Sequence, residues 1–301
     1  MDIRHLQYFI EVARFQSFTK AAEHLFIAQP TISKMIKSLE EDLGVELFER
    51  TRKKVILTDA GRLILMQAKT IDKAFENLNT QLDDLLGLKK GHIRVGLPPI
   101  MDADQIIKIL GGFHAQYPHI TFQLIEDGAK RIEENILQEE LDVGITVLPT
   151  QADRFDHFFL LSEELEVVLP PAHPLAGRKQ IRLEELKDDS FILFNKDFVL
   201  NDRITSACKE AGFIPKVISE SSQWDFIGKM IASNLGISIL PKSVARLLKE
   251  EVKKVRVIKP AIAWELALIW PKDQYISYAT KEWLSYTQDH LSTVESGPAS
   301  S

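Results

Sequence analysis

At 301 residues, 45% of them hydrophobic, the chain has apolar material for two or three cored domains, and no apolar run nears the roughly 20 residues that cross a bilayer. Its single cysteine, Cys208, excludes an intramolecular disulfide and any cysteine-cluster metal site. The formal net charge of -6 is unevenly spread: residues 1–90 hold 14 Lys and Arg against 13 Asp and Glu, leaving 23 against 30 for the remainder.

In chain order, the opening MDIRHLQYF carries charges where a signal peptide needs its apolar core, so a cytoplasmic protein without a membrane partner is expected. Ile3, Leu6, Ile10 and Ala13 form one stripe, which predicts a helix over 3–14. Residues 17–50 then read as two short helices joined by a tight turn. Ala21, Ala22 and Leu25 mark the buried side of one helix, and Ile32, Ile36, Leu39 and Leu43 that of the other. Ser17 or Thr19 can cap the first, and Pro30 falls in the first turn of the second, where proline is tolerated. The opposite face of the second helix offers Gln29, Thr31, Ser33, Lys34, Lys37 and Ser38, short polar and cationic groups that reach base edges and phosphates; an ordinary solvated face would satisfy the same pattern.

After Gly44, the apolar runs 45–48 and 55–57 bracket the basic segment 49–54, predicting a hairpin with a charged tip. Arg52 and Lys53 are its candidate phosphate or minor-groove contacts, although basic tips also serve to keep hairpin edges from pairing. Thr58 can cap a helix over 59–87 in which Ile64, Ala68, Ile71, Phe75, Leu78, Leu82 and Leu85 recur at spacings of 4, 3, 4, 3, 4, 3. Three heptads in register predict a two-helix coiled coil, with Ile64, Ile71, Phe75, Leu78, Leu82 and Leu85 as the dimerisation seam. Its thirty or so residues would span roughly 45 Å.

The wording of 1–61 carries a resemblance. Leu6 and Phe9 in an opening helix, SFTKAAEHL, AQPTISKMIKSLEEDLGVELFER and LTDAG together resemble the winged helix-turn-helix of the LysR-type transcriptional regulators. This implies that Gln29, Pro30, Thr31, Ser33, Lys34 and Lys37, with Arg52 and Lys53, meet double-stranded promoter DNA. It also implies that the linker helices pair antiparallel in a homodimer or homotetramer, and that RNA polymerase is a partner.

GLKKG at 87–91 breaks the helix, predicting a hinge over 88–91. From 92 the chain alternates: IRVGL, a helix over 104–117, ITFQLIE, a helix over 132–141 and VGITV, then EVVLP, SFILF, a helix over 202–211, KVISE, a helix over 224–233 and GISILP. WELALIW and a last helix over 275–291 close the series. Such alternation predicts right-handed crossovers and a mostly parallel sheet. With DVGIT, HPLAG at 173–177 and NLGISILP at 234–241, it resembles the effector-binding part of the LysR-type regulators, itself similar to periplasmic solute-binding proteins. The expected fold class is α+β multidomain. It comprises a winged helix-turn-helix over 1–58, a linker helix over 59–87 and a two-lobe α/β domain over 92–291, followed by a disordered tail over 292–301. Lobe I takes about 92–161 and 266–291, lobe II about 162–265.

Ligands of open α/β sheets bind beyond the carboxyl ends of strands, near helix N-termini. The candidates are Pro98, Pro99, Ile100 and Met101 after the first strand, Thr146 after DVGIT, Phe194 and Asn195 after SFILF, and Ser221, Ser222 and Trp224 before a helix. The resemblance places a small-molecule effector, a metabolite, in the same cleft. Here the sequence departs from the family, which often has Ser or Thr where Pro98–Met101 stand, so Thr146, Asn195, Ser221 and Ser222 become the stronger polar candidates; each could equally be a surface turn.

No catalytic residue, metal site or cofactor is expected. Gly-x-Gly-x-x-Gly after a strand, a Gly-Lys-Ser phosphate loop and His-Glu-x-x-His are all missing from the sequence. His114 and His119 are poorly spaced for a metal, and the pairs Glu133/Glu134 and Glu139/Glu140 read as a solvated helix face. Cys208, between Ile204 and Ala211 on a helical pattern, reads as a small buried hydrophobe, with a redox switch as the alternative. A solute carrier would suit 92–291 alone; the first ninety residues favour a ligand-responsive regulator.

Overall fold

The computed structural model describes residues 1–50, 55–85, 90–249 and 251–292. The chain divides into two compact units, Met1–Leu88 and Lys89–Ser301.

In the first unit, helix α1 (Ile3–Phe15) starts at Asp2, whose side chain accepts from the Arg4 N–H, and α2 (Phe18–His24) starts at Ser17, whose hydroxyl accepts from Lys20. Helix α3 (Gln29–Leu43) ends where Gly44 turns left-handed at φ 69°. Phe9, Val12, Ala21, Ile32, Ile36 and Leu39 fill the small core. Phe48 meets the rings of Phe9 and Phe18 at 5.3 and 5.8 Å, so the aromatic of LFER is a core residue.

The wing hairpin pairs β1 (Phe48–Arg50) with β2 (Val55–Leu57), Phe48 opposite Leu57. It is shorter than the expected run from 45. One oxygen of Glu40 takes the N–H groups of Leu47 (2.8 Å) and Phe48 (3.3 Å), which holds 45–47 as a turn back onto α3. The tip residues 51–54 lie outside the described residues, and so do 86–87 of the expected linker helix, 88–89 of the expected hinge and 293–301 of the expected tail. Helix α4 (Asp59–Leu85) follows Thr58, whose hydroxyl accepts from Gly61 N–H (2.9 Å) while donating to the Glu46 carbonyl (2.7 Å).

Among its described residues the second unit contains two larger sheets and a two-stranded one. The first, ordered β4-β3-β5-β13-β6, combines β3 (Gly91–Leu97), β4 (Ile120–Glu126), β5 (Val143–Val147), β6 (Phe155–Glu163) and β13 (Trp264–Pro271) with helices α5 (Asp104–Gln116), α6 (Ala129–Leu137) and α10 (Tyr278–Ser292). The second, ordered β11-β7-β12-β8, combines β7 (Leu165–Leu169), β8 (Gln180–Arg182), β11 (Ser238–Pro241) and β12 (Lys253–Lys259). The parallel pair β9 (Ser190–Phe194) and β10 (Lys216–Ser221) adjoins it through the bridge Phe191 to Ile237, with α7 (Val199–Glu210), α8 (Trp224–Ala232) and α9 (Lys242–Leu247) around it. A continuous apolar core joins the two lobes.

The expectation of a mostly parallel sheet is corrected. β3 is parallel to β4 and β5, but β13 runs antiparallel to both β5 and β6, and β7 antiparallel to both β11 and β12. The cause is connectivity: β13 returns from the second lobe and can only enter the first sheet reversed. Strands β6, β8 and β12 and helix α9 go beyond the elements that the sequence pattern predicts. α6 begins three residues before the expected 132 and stops at Leu137, two residues before Glu139 turns to φ 57°.

Candidate functional site

Each unit carries one candidate site. In the first unit, Ile32, Ile36 and Leu39 of α3 are fully buried, which forces the opposite face outward. Gln29, Pro30, Thr31, Lys34 and Lys37 are exposed there and Ser33 is half-buried. Lys37 pairs loosely with Glu41 at 3.6 Å; among the described residues Lys34 makes no ion pair. The first turn of α3 follows Ala28 and has no side-chain cap; Pro30 has no N–H and the Thr31 N–H donates to the Ala28 carbonyl (2.9 Å), which leaves the Gln29 N–H of that turn for an anion such as phosphate. Sequence reasoning passed over Phe26, which is 94% exposed and left-handed (φ 53°) in the turn before α3. Arg52 and Lys53 lie outside the described residues.

The linker helix splits its apolar residues between two tasks. Ala68 is buried and Ile64 half-buried against the core of the first unit, where α1 lies along α4 and Gln7 Nε2 donates to Asp72 Oδ1 at 2.9 Å. Ile64 therefore packs within its own unit and not along an open seam. Ile71, Phe75, Leu78 and Leu82 remain exposed, joined by Leu63 and Met66, which the heptad reading did not include. The side chain of Leu85 lies outside those described.

In the second unit, the carboxyl ends of β9 and β10 lie side by side, since Phe194 is in register with Ser221 and the Asn195 N–H donates to the Ser221 carbonyl (3.2 Å). Asn195, Ser221 and Trp224 are half-buried and Ser222 is exposed. Ser221 Oγ accepts from the Gln223 N–H (3.1 Å), fixing the turn ahead of α8. The remaining candidates are less open. Ile100, Met101 and Phe194 belong to the core, Pro98 is buried and Pro99 half-buried. Thr146 is 1% exposed, and its hydroxyl donates to Glu133 Oε1 at 2.8 Å.

That contact corrects the reading of Glu133 as part of a solvated face. Thr150 donates to the same oxygen (3.1 Å) and Gln151 approaches the other (3.5 Å), so a half-buried carboxylate gathers three donors at the end of β5. Its neighbours Glu134 and Glu140 are exposed, as are His114 and His119. Arg203 of α7 was also missed; it donates to the carbonyls of Leu148 and Ala263. Burial lowers the pKa of this guanidinium, with Glu265 opposing the shift. Both residues border the apolar stripe of their helix, Glu133 between Ala129 and Ile136 and Arg203 between Leu200 and Ala207, and only tertiary contact gives them a role.

Cys208 is fully buried, and burial alone pushes its thiol up to about 12. The folded chain keeps the proton where an unfolded thiol loses it, so this contribution to stability is full below about pH 9 and declines as pH rises towards about 12. An aromatic disulfide reagent at about pH 8 should leave Cys208 unmodified until denaturant unfolds the chain; rapid reaction of the folded protein would contradict the burial. Among the described residues no three metal-capable side chains gather.

Residues 3–62 match the family model described as the bacterial regulatory helix-turn-helix protein, lysR family, and residues 86–292 match the LysR substrate binding domain. The chain is 50% identical over 292 residues to an uncharacterized HTH-type transcriptional regulator, YwbI, of Bacillus subtilis, covering 97% of each. A full-length OxyR variant from Pseudomonas aeruginosa is 26% identical, with a TM-score of 0.69 over 97% of this chain and 94% of that one. CbnR complexed with its target DNA, at 22% identity, shares the fold, with a TM-score of 0.74 over 97% of this chain and 99% of that one. The chain belongs to the LysR family of bacterial transcriptional regulators, joining a winged helix-turn-helix that binds DNA to a two-lobe domain that binds a small-molecule effector.

Proposed function

We propose that residues 1–58 form the reading head, in which α3 lies in the major groove with Gln29, Pro30, Thr31, Ser33, Lys34 and Lys37 at the DNA, and Arg52 and Lys53 on the wing reach phosphate. The observation that carries this is the division of α3 into a fully buried apolar side and an outward polar side beginning at an uncapped N-terminus. The remaining polar residues supply direction and register, and the cations supply phosphate neutralisation.

Residues 59–87 pair two chains through the exposed seam Ile71, Phe75, Leu78 and Leu82, giving a homodimer or a dimer of dimers. Residues 92–291 take the effector at Pro99, Asn195, Ser221, Ser222 and Trp224, with the buried Thr146 paired to Glu133 at the end of β5. The effector must favour one arrangement of the oligomer over another, because equal affinity for both shifts nothing. The protein acts in the cytoplasm by binding, without catalysis, and passes its signal to RNA polymerase. Among the described residues no helix is long and apolar enough to cross a membrane.

Replacing Lys34 with alanine tests the DNA reading. Affinity for a specific operator should fall about ten-fold and the salt slope by about one, with the thermal midpoint unchanged. Unaltered affinity and slope would remove Lys34 from the interface.

A further inference from the structure

Three consecutive residues near the start of α7 each hold a different part of the two-lobe domain. Asn201, buried, donates through Nδ2 to the Phe194 carbonyl (2.5 Å) at the end of β9 in its own lobe. Asp202 pairs with Lys130 of α6 in the other lobe at 2.7 Å. Arg203 uses one guanidinium nitrogen for the Leu148 carbonyl and another for the Ala263 carbonyl. Leu148 stands on the rim of the first sheet, where its own N–H donates to Glu265 O at 2.9 Å, and Ala263 ends the crossover that leads into β13. Beside them the lobes approach through backbone: a Cβ on Gly128, ahead of α6, would lie 3.3 Å from the Asp197 carbonyl.

These ties differ in strength. Lys130 and Asp202 have side chains 51% and 57% exposed, so their attraction is screened and contributes little. The Arg203 guanidinium is half-buried, and both its acceptors are backbone carbonyls; Leu148, in the first lobe, would lose its charged donor if the lobes parted, while Ala263 would keep it. A planar fork spans two acceptors in a way that a lysine ammonium does not.

We infer that Arg203 is the latch of the cleft, a positioning residue that holds the second lobe against the rim of the first. Opening requires the bond to the Leu148 carbonyl to be given up, while the bond to Ala263, on the crossover at the edge of the second lobe, holds the guanidinium in the position that makes it. The latch connects to the ligand-facing segment through Asn201, whose amide holds the Phe194 carbonyl next to Asn195. A ligand gripping Asn195 therefore acts on the same helical turn that carries Arg203. The effector reading is not needed for the latch itself, which is a property of the lobes.

The test uses the full chain with Lys108→Cys on α5 and Lys229→Cys on α8, spin-labelled and diluted with unlabelled chain so that distances within one chain are read by pulsed electron paramagnetic resonance. Buried Cys208 stays unlabelled. Arg203→Ala and Arg203→Lys should each broaden and lengthen the distance distribution between the lobes, whereas Asp202→Ala should leave it as in the parent. If Arg203→Ala does not fold, as judged by circular dichroism, Arg203→Lys decides. The latch is overturned by an unchanged distribution in the Arg203 variants, by a lowered melting point without any change in distance, or by an equal change in Asp202→Ala.

Discussion

A chain carrying Phe75→Glu and Leu78→Glu is expected to sediment as a monomer and to bind its operator about 10²- to 10⁴-fold more weakly than the parent, the loss that follows when two linked binding events become one. Ile71, Phe75, Leu78 and Leu82 are 46%, 44%, 62% and 54% exposed on a single chain, far from what a soluble helix needs to leave open. Burying a side chain of this size contributes about 1.5 to 3 kcal/mol, and a paired seam buries the set twice. Two glutamates per chain place four like charges in that seam. Glutamate is a good helix former, so the helix signal in circular dichroism should persist. Retention of the dimer by analytical ultracentrifugation would show that the pairing surface lies elsewhere.

Gly61→Ala should destabilise the N-terminal unit by about 3 kcal/mol, the upper range for an intrusion into a closed site. A Cβ at Gly61 would sit 2.2 Å from the Leu47 carbonyl oxygen and 3.0 Å from a methyl of Leu57. That carbonyl cannot swing away freely, because it accepts the Thr58 N–H at 3.0 Å. At about 0.1 kcal/mol of stability per residue, such a loss removes a large share of what a unit of this size possesses. Denaturant unfolding of the full chain, followed through helix loss, checks it. A midpoint matching the parent would mean that the wing and α4 separate at little cost.

The reading head was legible because its signals are local. Ser17, Pro30, Gly44 and Thr58 mark helix ends within a few residues of the apolar stripes they bound, and α3 was placed with its buried and open faces correctly assigned. The wing was misjudged at 45–47 because the Glu40 carboxylate, several residues back, takes N–H groups that would otherwise belong to a strand.

The two-lobe domain was legible in order but not in pairing. The segment KKVRVIK of β12 looks like a charged loop until β7 and β8 flank it and bury Val255 and Val257. β6 alternates only weakly, and its role depends on a strand about one hundred residues later. At the cleft, the sequence could find Thr146 at a strand end but could not show that Glu133, thirteen residues earlier, already occupies its hydroxyl. Arg203 carried no sequence signal at all, since its acceptors are backbone atoms and any residue supplies those.

The bond from Gln7 to Asp72, the burial of Ala68 and the contact of Gly61 with Leu47 have a mechanical consequence. Together they make the reading head and the first half of α4 a single lever without a joint of its own. In a paired molecule, a small roll of one linker helix against the other is thus not absorbed near the fulcrum but delivered whole at α3. The gap between two α3 helices becomes a gauge of the seam, and an operator whose half-sites are spaced wrongly can be accommodated only by bending its own duplex.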